Sequence, residues 1–147
     1  MFIPQDVLIL ALDGARMSLF RNVGTTSAPN LKLVFKTELR SPATSELGDD
    51  RPGRTFQSLG RGRAAYEGAD LHKRSEAEFI DDMAQIFCSH MKQPKQQAIV
   101  IAPPQVLGQV REHLQPAIRS RLVGEIGKDY AGETALQLLE LLNQLEV

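Results

Sequence analysis

The chain has 147 residues with 17 Lys and Arg against 18 Asp and Glu, so its length predicts a single domain over residues 1–147, and its near-zero net charge selects no partner. A chain of this size buries roughly 68–70% of its extended surface, and with 42% apolar residues it needs neither a disulfide framework nor a structural metal to hold a core. The longest apolar run, Val7 to Leu12, is far shorter than the ~20 residues that cross a bilayer, which argues against a membrane span. The start, Met1-Phe-Ile-Pro-Gln-Asp6, has neither the basic residues nor the cleavage site of a secretory signal, and a cytoplasmic location is expected. The single cysteine, Cys88, suits a reducing compartment. Lying near Phe87 and Met91 with no basic partner beside it, Cys88 reads as packing rather than as a nucleophile.

Val7 to Leu12 is apolar throughout and partly β-branched, the pattern of a central strand buried on both faces. Asp13-Gly14 then turns the chain into a second arm, Ala15 to Arg21, which pairs antiparallel with the first. Gly24, Ser27 and Pro29 mark the next turn. In Leu31 to Arg40 the residues Leu31, Leu33, Phe35, Thr37 and Leu39 alternate with mostly polar ones, predicting a third strand with one wet face. From Ser41 to about Asp70 the periodicity vanishes while glycines and prolines recur. Loops longer than about 12–15 residues are uncommon in compact domains and are usually functional or disordered, so this stretch is the first place to look for activity.

A helix is expected to start between Asp70 and Ser75, the latter opening a Ser-x-x-Glu capping pattern, and to bury Phe79, Ile80, Met83, Ile86, Phe87, Cys88 and Met91. Pro94 ends it, and Ala98 to Ala102 reads as a short buried strand, parallel because a helical crossover precedes it. Pro104 suits the first turn of a helix carrying Val106, Leu107, Val110 and Leu114. A short turn at Ala117 to Arg121 leads to a weak fifth strand, Leu122 to Ile126. Thr134-Ala-Leu-Gln137 resembles a capping box opening a last helix, whose leucines 138, 139, 141, 142 and 145 dock on its own sheet rather than on a second copy. The fold class is therefore α/β: a mixed five-stranded sheet, an antiparallel meander plus parallel strands, flanked by helices in the manner of ribonuclease H-like folds.

That fold supports metal-dependent nucleases, which need carboxylates gathered at strand ends around cations about 3.5–4 Å apart. Asp13 occupies such an end, but the neighbouring strand finishes in Ala102-Pro103-Pro104 without a carboxylate, so Asp13 reads as the turn residue. His72, His90 and His113 are scattered without zinc-ligand spacing, and neither a nucleophile elbow nor a Walker glycine loop is present. No metal, no cofactor and no catalytic residue is assigned.

The long loop is locally basic, with Arg51, Arg54, Arg61, Arg63, Lys73 and Arg74 against Glu67 and Asp70. Arginine forks and exposed amides suit phosphate oxygens, and Phe56 and Tyr66 could stack on unpaired bases. The plainer alternative pairs these arginines with Glu46, Asp49 and Asp50 just upstream.

Four segments, Leu12-Asp-Gly-Ala-Arg16, Asp50-Arg-Pro-Gly-Arg-Thr-Phe-Gln-Ser58, Ile101-Ala-Pro-Pro-Gln-Val-Leu-Gly108 and Gly124-Glu-Ile-Gly-Lys-Asp129, together resemble the bacterial host-attachment protein family. That family is similar to the middle domain of the class-I release factors of eukaryotes and archaea, which implies the same sandwich. In release factors a Gly-Gly-Gln loop of this domain promotes peptidyl-tRNA hydrolysis; the comparable stretch here is Gly53-Arg-Thr-Phe-Gln57, without the glycine pair. The resemblance implies a loop that addresses RNA or the ribosome, with Arg51, Arg54, Phe56, Gln57, Arg61 and Arg63 as candidate contacts. Two rival readings stand beside it: hydrolysis, either of a peptidyl ester with Gln57 orienting water or of a phosphodiester through Asp13, and a structural role in attachment.

Overall fold

The computed structural model describes residues 1–39 and 68–145, and of 68–74 the backbone path alone. Five strands, β1 (Leu8–Leu12), β2 (Arg16–Asn22), β3 (Leu31–Glu38), β4 (Ala98–Ile101) and β5 (Leu122–Ile126), form one sheet in the order β3-β2-β1-β4-β5. β1 pairs antiparallel with β2 and β2 with β3, whereas β4 runs parallel to both β1 and β5. The helices are α1 (Gly68–His90), α2 (Pro104–Glu112), α3 (Pro116–Arg119) and α4 (Ala135–Gln144). The mixed meander-plus-parallel sheet expected from the sequence is the one observed, including the weak strand at Leu122–Ile126.

The continuous apolar run of β1 is explained by two cores. Leu8, Leu10 and Leu12 join Met17, Leu19, Val100 and the α1 residues Phe79, Ile80, Met83 and Phe87, with Leu107 and Val110 of α2. The alternate residues Val7, Ile9 and Ala11 join Ile99, Ile101, Phe20 and the α4 leucines 138, 141 and 142. Every residue of β1 and β4 is buried, so neither strand has a wet face. Each fully covered Leu, Ile or Phe contributes about 1.5–3 kcal/mol relative to exposure, enough to override the modest local preferences of four- and five-residue strands.

The capping box at α4 is present: the Thr134 hydroxyl accepts from the Gln137 N–H at 3.2 Å, and the Gln137 side chain accepts from the Thr134 N–H at 2.8 Å. Pro104 stands in the first turn of α2, where its missing N–H costs nothing. Asn22, fully buried, ties the amino-terminal arm to the β2–β3 turn. Its amide donates to the carbonyls of Ile3 and Pro4, and its oxygen accepts from the N–H groups of Gly24 and Asn30.

Two local expectations are corrected. The alternation in β3 does not place Leu31, Leu33 and Phe35 on one face. Leu19 pairs with Phe35 but Phe20 pairs with Leu33, so Val34 is an extra residue that shifts the register. A bulge of this kind rotates the strand beyond it: Leu31 packs in the α4 core, Phe35 packs against the α1 core, and Leu33 and Val34 are exposed. The first helix begins at Gly68, ahead of both predicted starts, and Ser75 lies inside it. Ala69, Leu71, Lys73 and Arg74 are good helix formers, so the Ser-x-x-Glu pattern is not needed to open the helix.

Candidate functional site

β3 is antiparallel to β2 and β2 to β1, so β3 ends where β1, β4 and β5 end. The basic stretch singled out in the sequence therefore leaves the described fold at the carboxyl edge of the sheet. Its departure is pinned to the β1–β2 turn: the Leu39 N–H donates to the Ala15 carbonyl at 2.6 Å, and Glu38 stands opposite Arg16 in register. Return is by α1. Glu76 lies beside the same turn, since a Cβ on Gly14 would sit 3.1 Å from its Cδ. The residues from Gly68 to Glu76 add about 12 Å of helix at 1.5 Å per residue, which carries the start of α1 past the sheet edge.

The turn itself is built by Asp13. Its Oδ1 accepts from the N–H groups of Ala15 (2.8 Å) and Arg16 (2.7 Å), while Oδ2 takes the Arg16 guanidinium through Nε (3.2 Å) and Nη2 (2.9 Å). Burial alone would push this carboxyl up. The Ala15 N–H, the Arg16 side chain and the Arg16 N–H outweigh it and hold Asp13 below the usual carboxylate range. Arg16 is correspondingly raised, first by its bonds to Asp13 and then by the fields of Asp13, Asp129 and Glu38. The backbone at Gly132 also runs against this guanidinium, so closely that a Cβ there would overlap Arg16 Nη1. Arg16 is thus paired with Asp13 and lies in the fields of Asp129 and Glu38 while its side chain stays 44% exposed, and Asp13 could take up a proton or a metal ion only by giving up the bonds that build its turn. The reading of Asp13 as the turn residue is the one observed.

Among the described residues this edge carries Asp13, Glu38, Glu76 and Asp129 around the paired Arg16, with Lys128 as a further exposed cation just beyond β5, so acidic groups outnumber basic ones there. The larger concentration of positive charge at this end lies in the sequence of the segment that springs from it. The candidates Arg51, Arg54, Phe56, Gln57, Arg61 and Arg63 lie outside the described residues. Sequence reasoning did not anticipate Arg16 as the charge centre of the edge; the three-residue spacing from Asp13 that closes an Asx-type turn was the available signal. Elsewhere, Cys88 is half-buried against the α1 core and its thiol is pushed up by burial, as expected of a packing residue. His113 Nδ1 lies 3.4 Å from Asp81 Oδ1. Among the described residues no three His, Cys, Asp or Glu side chains converge on a point that could hold a metal ion, and no helix is long and apolar enough to cross a membrane.

A family model described as Bacterial archaeo-eukaryotic release factor family 12 matches residues 6–142. Among solved structures, the ethanolamine utilization protein EutJ from Carboxydothermus hydrogenoformans is similar at 12% identity and a TM-score of 0.43, over 86% of this chain and 46% of that one. The chain thus spans less than half the length of that protein. No curated protein matches the chain.

Proposed function

Because the chain belongs to bacterial archaeo-eukaryotic release factor family 12, we propose that it is a binding module that contacts RNA or the ribosome through the segment Arg51 to Arg63. The observation that carries this reading is the placement of that segment's two supports. The chain leaves beside the Asp13–Arg16 turn, just after Leu39 packs against the α1-side core, and returns through a helix that overshoots the sheet, so both attachment points lie at the sheet edge. The turn beneath adds a second support: the Asp13 carboxylate is already committed to Arg16 and to backbone N–H groups, and does not need the segment's cations. Of the hydrolytic readings, the phosphodiester one loses its carboxylate, since Asp13 is spent in the turn.

Phosphate contacts release counterions, so binding of single-stranded RNA falls with salt at a log–log slope of about −0.7 per contact. Replacing Arg54, Arg61 and Arg63 together by Ala removes about 2 units of that slope. A wild-type interaction independent of salt, or a triple variant with the parental slope, overturns the proposal. Purified protein assayed on peptidyl-tRNA, with Gln57→Ala as the control, separates binding from hydrolysis: turnover lost in the variant would make the protein an enzyme.

A further inference from the structure

The opposite end of the sheet has the opposite charge. There β2 finishes and β3, β4 and β5 begin, and the connections 23–30, 91–97 and 113–121 contain no Asp or Glu. Across this end, in strand order, stand Lys32 on β3, Arg21 on β2, Lys95 and Lys92 in the approach to β4, and Arg121 and Arg119 in the approach to β5. Among the described residues the carboxylates bordering them are Asp6, ahead of β1, Glu112, at the end of α2, and Asp81 of α1, which lies 3.4 Å from His113 of the 113–121 connection.

These cations belong to one rim. Arg21 shares the face of Leu19 and reaches Gln96 Oε1 at 3.1 Å, which joins β2 to the α1–β4 connection. Arg121 Nη1 donates to the carbonyls of Met91 (2.9 Å), Gln93 (2.7 Å) and Gln96 (3.2 Å), joining the same connection to β5. Lys32 stands opposite Arg21 in register, and Arg119 is close to Arg121 in the chain. Two arginines therefore shape the rim and are spent in doing so. Lys32, Lys92, Lys95 and Arg119 are exposed and enter no ion pair among the described residues. Lys92 and Lys95 lie beyond the end of α1, so they do not serve as ordinary last-turn complements to the helix dipole.

We propose that this rim is a second phosphate-binding face, on which a single-stranded RNA backbone lies across the amino ends of the parallel strands. Four intervals of about 4.8 Å between neighbouring strands give a track ~19 Å long, enough for a few nucleotides. Lys32 stands at the β3 end of that track and Lys92, Lys95 and Arg119 at the β4–β5 end, with Asp6 between them. An extended, flexible polyanion such as single-stranded RNA can follow both groups and pass the intervening carboxylate, which a rigid acidic surface does less readily. The inference shares the ligand class of the proposed function but none of its residues, so either can fail alone.

The test uses a fluorescently labelled single-stranded RNA of about 20 nucleotides and the full chain, with binding followed by anisotropy from low to moderate salt. Lys32→Gln, Lys92→Gln, Lys95→Gln and Arg119→Gln are combined in one variant, whose substituted sites are exposed and whose fold is verified by thermal unfolding. The Arg54, Arg61 and Arg63 to Ala variant is measured in parallel. The expected result is a salt slope shallower by about 3 units and at least tenfold weaker binding at low salt for the rim variant, whether or not the segment variant also weakens binding. A rim variant that binds like the parent overturns the inference; if the segment variant is then impaired, the proposed function survives without it. Absence of RNA binding by the unmodified chain sinks both. Competition by poly-glutamate as effective as by RNA of equal charge also overturns the inference, in favour of an acidic polypeptide partner.

Discussion

Removing the Asn22 side chain tests whether one buried amide organises the amino-terminal arm and the β2–β3 turn together. The side chain is fully buried and makes four bonds, to the carbonyls of Pro4 (3.1 Å) and Ile3 (3.5 Å) and from the N–H groups of Gly24 (3.0 Å) and Asn30 (2.9 Å). The Ile3 contact is at the limit of a hydrogen bond, leaving three of full strength. In Asn22→Ala two N–H donors lose their partner and the Pro4 carbonyl keeps only the Val7 N–H at 3.3 Å. With a net ~1 kcal/mol per bond and a further cost wherever water cannot replace it, about 3 kcal/mol of stability is lost. For a chain of this size that lowers Tm by roughly 6–12 °C. Urea unfolding should show the midpoint falling at unchanged m. Asn22→Asp sharpens the test, because its oxygens still accept from Gly24 and Asn30 but a carboxylate then faces two carbonyls. Burial and that opposition raise the folded-state pKa of the introduced carboxyl above its unfolded value. The variant is therefore most stable below the unfolded pKa and weakens as pH rises through the folded one. A loss under about 1 kcal/mol in Asn22→Ala, or an Asn22→Asp variant more stable at about pH 7 than at about pH 4.5 relative to the parent, would refute the reasoning.

Asp13 carries the opposite pH signature: its carboxyl is held below the ordinary value, so its contribution is present above the unfolded pKa of about 3.9 and disappears as pH falls through the folded one. Asp13→Asn should flatten that acid limb in a pH series of unfolding midpoints, while Asp13→Ala, which also removes the turn acceptor, costs about 1–2 kcal/mol near pH 7. Gly24→Ala should destabilise by about 1–3 kcal/mol, because a Cβ there would overlap the Ala28 carbonyl oxygen and lie 2.8 Å from the Asn30 nitrogen, backbone atoms that cannot step aside; thermal unfolding reads this directly. Arg121→Ala should free the 91–97 connection, whose three carbonyls it holds, and amide exchange should accelerate there first, whereas exchange in β1 stays slow.

The central sheet was legible because its determinants are local. The unbroken apolar run of β1, the Asp-Gly turn and the Thr134–Gln137 pair each announce their structure within a few residues. The β3 bulge was not legible, because Val34 is extra only with respect to the register of β2, and alternation within one strand carries no record of its partner. The roles of Asn22, Arg16 and Arg121 were hidden for a related reason. Their defining interactions reach 18 residues back to Pro4, into the field of the distant Asp129, and 30 residues back to Met91, separations at which composition and periodicity say nothing. The charge division between the two ends of the sheet was equally invisible in a balanced total; it emerges only when the topology gathers turns from distant parts of the chain.

The bulge in β3 also governs how the chain beyond that strand is anchored. Because Leu31 is seated among the α4 leucines and Phe35 against the α1 layer, sliding the strand by one residue would unseat both at once, on opposite sides. An outermost strand is ordinarily the easiest to shift, yet this one is pegged twice. The arginine-bearing stretch past Leu39 thus starts from a fixed mooring, and a pull on it is resisted by both hydrophobic layers together.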